Sequence, residues 1–168
     1  MTTQFPTTRT SSSSEISTLT TEQFTSSLLN QTDAVRARQD VMAARRSETY
    51  ERLLARRAPL RILEIGCGSG GLGRGFTEAG HDYTGLDIDP RPISDGVSQG
   101  LNLINLDFMD FDTENRFDVI TFSQVLEHIL RPKDFMSKVW SHLKSGGLIH
   151  LDVPNHHALA GVPSRLRG

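Results

Sequence analysis

The chain has 168 residues, enough for one ordinary domain, and its 18 Lys and Arg against 20 Asp and Glu leave a formal charge of −2. That balance excludes a polybasic nucleic-acid binder, and the single cysteine, Cys67, excludes an internal disulfide framework and a cysteine-based zinc cluster. No apolar run is long enough to span a bilayer, and the N-terminus lacks the basic start and apolar core of a secretory signal, so a cytoplasmic location is expected.

More than half of residues 1–32 are Ser or Thr. Such a segment buries too little apolar surface to offset its conformational entropy, and a disordered tail is expected there. Residues 33–58 are richer in helix formers, with Ser47, Tyr50 and Glu51 suggesting a second helix start and Pro59 closing the segment. The many arginines between Arg36 and Arg61 read as a solvated helix face.

From Leu60 the pattern becomes an alternation of strands and helices. LRILEI, DYTGLDI, NLINL, FDVITF and GLIHLDV are five short apolar strand candidates. GCGSGGLGRG leads from the first strand into a helix that stops at Gly80. RPKDFMSKVWSHLKSGG is an amphipathic helix, with Pro132 near its start and Gly146–Gly147 expected to end it. Its stripe of Phe135, Val139 and Leu143 reads as core. Strand–helix alternation predicts an α/β fold with a parallel sheet.

Ligands of such sheets lie beyond the carboxyl ends of the strands, which directs attention to the turn after the first strand. Gly66, Gly68 and Gly70 follow a GxGxG pattern, letting backbone approach a ligand closely. Alone, this pattern serves many nucleotide sites. The neighbouring acids discriminate. Glu64, just before the glycines, would repel a pyrophosphate and attract a cationic ligand. Asp87, ending the second strand, can accept hydrogen bonds from both hydroxyls of a ribose. Asp107, after the third strand, can accept from the exocyclic amine of adenine. Residues 87–118 are also strongly acidic. An adenosine ligand carrying positive charge fits these features, and S-adenosylmethionine is one.

ILEIGCGSG, GLDIDP, NLDFMDF, FDVITFSQVLEHI and LKSGGLIHLDVPN resemble the successive motifs of class I S-adenosylmethionine-dependent methyltransferases, nearest the ubiquinone-pathway O-methyltransferase group. The resemblance covers about residues 58–155 and implies a Rossmann-like three-layer sandwich with sheet order 3-2-1-4-5. It implies an S-adenosylmethionine-binding core over residues 59–155 and a short tail over residues 156–168. In that family Glu64, Gly66, Gly68 and Gly70 would hold the methionine portion. Asp87 would take the ribose, Ile88, Asp107 and Phe108 the adenine, and Ser123 and Gln124 would line the methyl-transfer end. Glu127 and His128 are the catalytic candidates, with His128 as general base.

Related O-methyltransferases hold a divalent ion with an acid three residues before a Glu–His pair. Here that position is Gln124, so no metal is expected; His156 and His157 are the other imidazoles in reach of the idea. The resemblance also implies two strands after the fifth, which the residues beyond Asn155 are too few to form. A truncated chain, or a sheet ending at a fifth strand free to pair with a second copy, is therefore expected. The expected partner is a small-molecule methyl acceptor. The alternatives are an RNA-end or sugar methyltransferase and a non-catalytic adenosine-ligand module.

Overall fold

The computed structural model describes the backbone of residues 21–154 and the side chains of residues 32–154. The elements run α1 (Thr21–Leu54), β1 (Arg61–Ile65), α2 (Gly71–Glu78), β2 (Asp82–Asp87), α3 (Pro90–Ser98), β3 (Leu103–Asn105), β4 (Phe117–Ser123), a 3₁₀ turn (Leu126–His128), α4 (Pro132–His142) and β5 (Leu143–Asp152). The five strands form one parallel sheet in the order β3-β2-β1-β4-β5, the order expected from the sequence.

Strands covered on both faces are buried along nearly their whole length, and β1 and β4 are, with Glu64, Asp118 and Thr121 as the buried polar exceptions among their apolar residues. One face packs Leu63, Ile65, Leu86, Ile120 and Phe122 against Phe108, Phe135 and Val139. The other packs Ile62, Tyr83 and Val119 against Ala43 and Tyr50 of α1 and Phe76 of α2. None of the helices among the described residues is long and apolar enough to cross a membrane.

Three local expectations are corrected. Residues 21–32, read as part of a disordered tail, belong to α1. Propagating an existing helix costs far less than nucleating one, so even Ser- and Thr-rich sequence can extend it. Residues 1–20 and 155–168, including His156 and His157, lie outside the described residues. No second helix starts at Ser47: α1 passes through it, because Ala43, Ser47 and Tyr50 fall on one helical stripe and are buried together. Finally, α4 stops at His142 rather than at Gly146. Leu143 already pairs with Phe117, and the register then slips so that Val119 meets Leu148, with Gly146 at φ 75° inside the irregularity.

Candidate functional site

The carboxyl ends of β1, β2 and β4 open on a cavity of about 370 Å³. Its walls include Gly66, Asp87, Ile88, Asp107, Phe108, Gln124 and His128, all singled out in the sequence. Ile65, Leu86, Leu106, Val125, Ile129 and Phe135 complete it. Phe135, read from periodicity as core, is both: 2% exposed, yet a wall of the cavity.

The β1–α2 turn is shaped by its glycines and by one carboxylate. Gly66 stands at φ 75°, and a Cβ there would come within 2.6 Å of Val125, so only glycine lets the turn pass under the β4 loop. The Gly68 amide donates to Asp87 Oδ2 at 2.8 Å, and the Asp89 amide to Asp87 Oδ1 at 2.9 Å. Asp87 thus fixes the turn and its own loop together. Each carboxylate oxygen keeps a further lone pair, so the group can still accept from a diol. Gly70 caps α2 in a left-handed conformation, away from the cavity walls. Ile88 is 72% exposed beside the cavity, an apolar surface suited to a flat ring. The Asp107 side chain accepts from the Met109 amide at 2.8 Å.

On the opposite wall, Gln124 holds φ 56°, a strained conformation for a residue with a side chain, anchored by its amide donating to the Asp152 carbonyl at 2.9 Å. His128 lines the cavity from the 3₁₀ turn, whereas Glu127 beside it is exposed and does not. Neighbouring residues of a helical turn point apart, which separates the two catalytic candidates. Ser123 is also outside the cavity walls; its hydroxyl donates to Asp152 Oδ2 at 2.9 Å. Among the described residues no cluster of three or more His, Cys, Asp and Glu is placed to hold a metal ion.

Glu64, next to the cavity-lining Ile65 in β1, is 6% exposed and is not itself among the cavity walls. Tyr83 donates to its Oε2 at 2.6 Å. Burial pushes the Glu64 carboxyl up to about 7, against the opposing pull of Tyr83 and Arg46. Around it the α1 face of the sheet carries a polar rank: Thr121 and Ser123 of β4, and His150 and Asp152 of β5. From α1, Tyr50 hydrogen-bonds His150 Nδ1 at 2.5 Å and Arg46 Nη2 pairs with Asp152 Oδ2 at 2.5 Å. Two atoms of this rank, Arg46 Nη1 and Thr121 Oγ1, are buried with no hydrogen-bond partner among the described residues. Buried polar atoms are normally satisfied, so this pair marks a place suited to a polar ligand. Sequence reasoning placed Arg46 on a solvated face; its side chain is 12% exposed. The signal it missed is that Arg46 shares the Ala43–Tyr50 stripe. His150 is satisfied within the fold, by Tyr50 and Asp152. Cys67 is a packing residue, its thiol pushed up to about 12 by burial and by Glu64 and Asp87.

Residues 35–167 match the family model described as a methyltransferase domain. The chain belongs to that family. Within it, the chain is 32% identical over 114 residues to the ubiquinone biosynthesis O-methyltransferase of Nitrosococcus oceani, covering 63% of this chain and 48% of that protein. It is 31% identical over 124 residues to the tRNA 5-carboxymethoxyuridine methyltransferase of Escherichia coli K12, covering 67% and 48%. The methyltransferase chain thus spans about half the length of these relatives. Among solved structures, S-adenosylmethionine-bound CalS10, an amino pentose methyltransferase from Micromonospora echinaspora, superposes with a TM-score of 0.64 at 21% identity, covering 74% of this chain and 56% of that one. The plantazolicin methyltransferase BpumL, in complex with S-adenosylhomocysteine, gives a TM-score of 0.62 at 19% identity, covering 78% and 52%. Both share the fold.

Proposed function

We propose that this methyltransferase domain binds S-adenosylmethionine in the cavity and transfers its methyl group to an oxygen of a small-molecule acceptor in the cytoplasm. The observation that carries the reading is the convergence of Gly66, Asp87, Ile88, Asp107 and Phe108 on one cavity at the carboxyl ends of adjacent parallel strands. Asp87 accepts from the ribose hydroxyls; Ile88 and Phe108 enclose the adenine, with Asp107 accepting from its amine. The amino-acid end extends over the glycine turn toward the polar rank under α1. There Glu64 meets the ammonium, and the partnerless Arg46 Nη1 donates to the carboxylate.

Such a cofactor supplies an already activated methyl electrophile, so the protein's task is alignment more than activation. Gln124 and His128 form the wall where an acceptor would lie, and His128 takes the acceptor's proton when a hydroxyl must be ionised. Gln124 is neutral where related sites use an acid, which supports transfer without a metal. The likeness to the ubiquinone biosynthesis O-methyltransferase supports an oxygen acceptor, and the E. coli relative keeps an RNA acceptor as an arm of the test.

Calorimetry with S-adenosylhomocysteine and with NAD tests the cofactor: micromolar binding of the first and much weaker binding of the second are expected, and equal affinities would remove the reading. Methyl transfer is then screened on catechols and other phenols, on amino sugars and on tRNA. Transfer to the phenols and not to sugars or tRNA supports the acceptor class; the reverse pattern replaces it.

A further inference from the structure

Tyr83 occupies a place in β2 that the chain has cleared for it twice. A Cβ on Gly73 of α2 would lie 2.2 Å from the Tyr83 ring, and a Cβ on Gly85, the next residue but one in β2, would lie 2.7 Å from its hydroxyl. The first gap admits the ring. The second admits the hydroxyl together with Cys67 Sγ and Leu103 Cδ2, which a Cβ there would also meet at 2.7 Å. The ring is 4% exposed and stacks against Phe76, centroids 6.1 Å apart, so its position is held on both sides. From there the hydroxyl reaches Glu64 Oε2 at 2.6 Å, across the β1–β2 pair.

Among the described residues Oε1 of Glu64 accepts no hydrogen bond. We propose that Tyr83 is a positioning residue: its hydroxyl fixes the Glu64 carboxylate as the anion, with Oε1 turned to the ammonium of the cofactor's amino-acid end. The proposal rests on the cofactor reading above. A buried carboxyl is otherwise pushed toward its neutral form, which offers an ammonium little. A hydrogen bond donated to the anion opposes that push and restricts the side chain to one rotamer. The other groups facing Glu64 are Arg46 and Tyr50 from α1, Asp87 from the end of β2 and Cys67 from the glycine turn. Burial, the largest influence, and Asp87 disfavour the anion, Arg46 favours it, and the buried Tyr50 and Cys67 stay protonated; against the burial the Tyr83 hydroxyl is, among the described residues, the hydrogen-bond donor to the anion.

The test is calorimetry on the full chain from about pH 5.5 to about pH 8.5, a window spanning the ionisation of a raised carboxyl. The probes are S-adenosylhomocysteine and 5′-methylthioadenosine, the same nucleoside without the amino acid. In the wild type, S-adenosylhomocysteine affinity should climb with pH and methylthioadenosine affinity should stay flat. Tyr83→Phe should move the climb to higher pH by about one unit, giving about tenfold weaker binding near neutrality, and leave methylthioadenosine unchanged. Glu64→Gln should flatten the profile, and Tyr83→Phe added to it should change nothing further. A Tyr83→Phe profile that superposes on the wild type overturns the proposal. So does an equal loss for both probes, which would make Tyr83 a packing residue only. If Tyr83→Phe does not fold, 3-fluorotyrosine incorporated in the wild-type chain is a stronger donor and should move the climb to lower pH; no movement overturns the proposal. A wild type that binds neither probe removes the cofactor reading itself.

Discussion

At Glu64 the folded, ligand-free chain carries a carboxyl that keeps its proton to an unusually high pH. Its ordinary value near 4.5 is pushed up to about 7 by burial, with Tyr83 and Arg46 pulling the other way. The folded state therefore holds a proton that the unfolded state has lost between those two values. Stability from this group is full below about pH 4.5 and is lost as pH rises through about 7. Glu64→Gln keeps the shape and removes the charge. It should stabilise the ligand-free protein at pH 8 by about 1–3 kcal/mol and do almost nothing near pH 4.5, read by chemical denaturation at both pH values. The same variant should weaken S-adenosylhomocysteine binding at pH 8, so stability and binding move in opposite directions at one residue. The second strand offers a sharper pair. Asp87 grips the glycine turn and lies on the cavity, whereas Asp89 caps α3 and pairs with Arg91 outside it. Asp87→Ala should weaken S-adenosylhomocysteine by about 1.5–3 kcal/mol, the worth of hydrogen bonds to a charged group. Asp89→Ala should lower the melting temperature slightly and leave the affinity alone. A larger affinity loss at Asp89 would place the ribose contact one turn further on.

At the scale of elements, the crossing of α1 over α2 depends on which glycines lack neighbours that can move. A Cβ on Gly75 would meet the Ala43 Cβ at 2.5 Å, two atoms fixed to their backbones. A Cβ on Gly71 would meet only the Gln39 amide, the far end of a flexible side chain. Replacing an interior helix glycine by alanine gains about 1 kcal/mol of propensity. Gly71 is the first residue of α2, where only part of that interior gain applies and the nearest atoms can move, so Gly71→Ala is expected to be close to neutral. At Gly75 the gain is outweighed by separating two packed helices, and Gly75→Ala should cost about 1–2 kcal/mol net in urea denaturation. Equal effects at the two sites would mean the helices do not touch there. These glycines also show where sequence legibility ends. The strands and the cavity-lining Gly66, Asp87 and Asp107 are legible because each is a local pattern: an apolar run, a glycine turn, or an acid at a strand's end; the strand order and the places of Ile88 and Phe108 come from the resemblance to class I methyltransferases. Gly73, Gly75 and Gly85 stand in the same glycine-rich stretches but serve packing across elements, which leaves no mark in adjacent residues. Arg46 looked like any other arginine of its helix until α1 was laid on the sheet. The boundary between α4 and β5 was misread because Gly146 serves a register slip rather than a helix end.

Across the whole molecule the two ends of the sheet are built to opposite designs. At the carboxyl end, Arg46 and Thr121 keep buried polar atoms without partners among the described residues, and Gln124 holds a strained backbone. At the amino end, Asp118 is over-supplied. Its side chain is 5% exposed and accepts from Arg56 Nη1 at 2.5 Å, the Arg61 amide at 2.8 Å and Lys144 Nζ at 2.9 Å. One carboxylate thereby ties the segment after α1, the start of β1 and the start of β5 to β4. Burial pushes this carboxyl up, but the Arg61 amide, Lys144 and Arg56 together outweigh burial and hold it below the ordinary value. A depressed carboxyl contributes stability above its unfolded value near 3.8 and loses it as pH falls through the folded one, so the tie should fail only in acid. Asp118→Asn keeps the size and loses the charge, and an amide can serve the Arg61 N–H but holds two cations poorly. It should lower the melting temperature at pH 7 by about 5 °C. That difference should shrink in acid, as pH falls through the lowered value of the wild-type carboxyl and it too becomes neutral. The affinity of the folded variant for S-adenosylhomocysteine should stay at the wild-type value, because the cavity lies at the other end of the strands. Glu64→Gln gives the mirror image, more stable and weaker in binding. Thermal melts and calorimetry on both variants check the pair. An affinity loss in Asp118→Asn as large as that in Glu64→Gln would show that the amino end of the sheet shapes the cavity, and the division of labour between the two ends would fall.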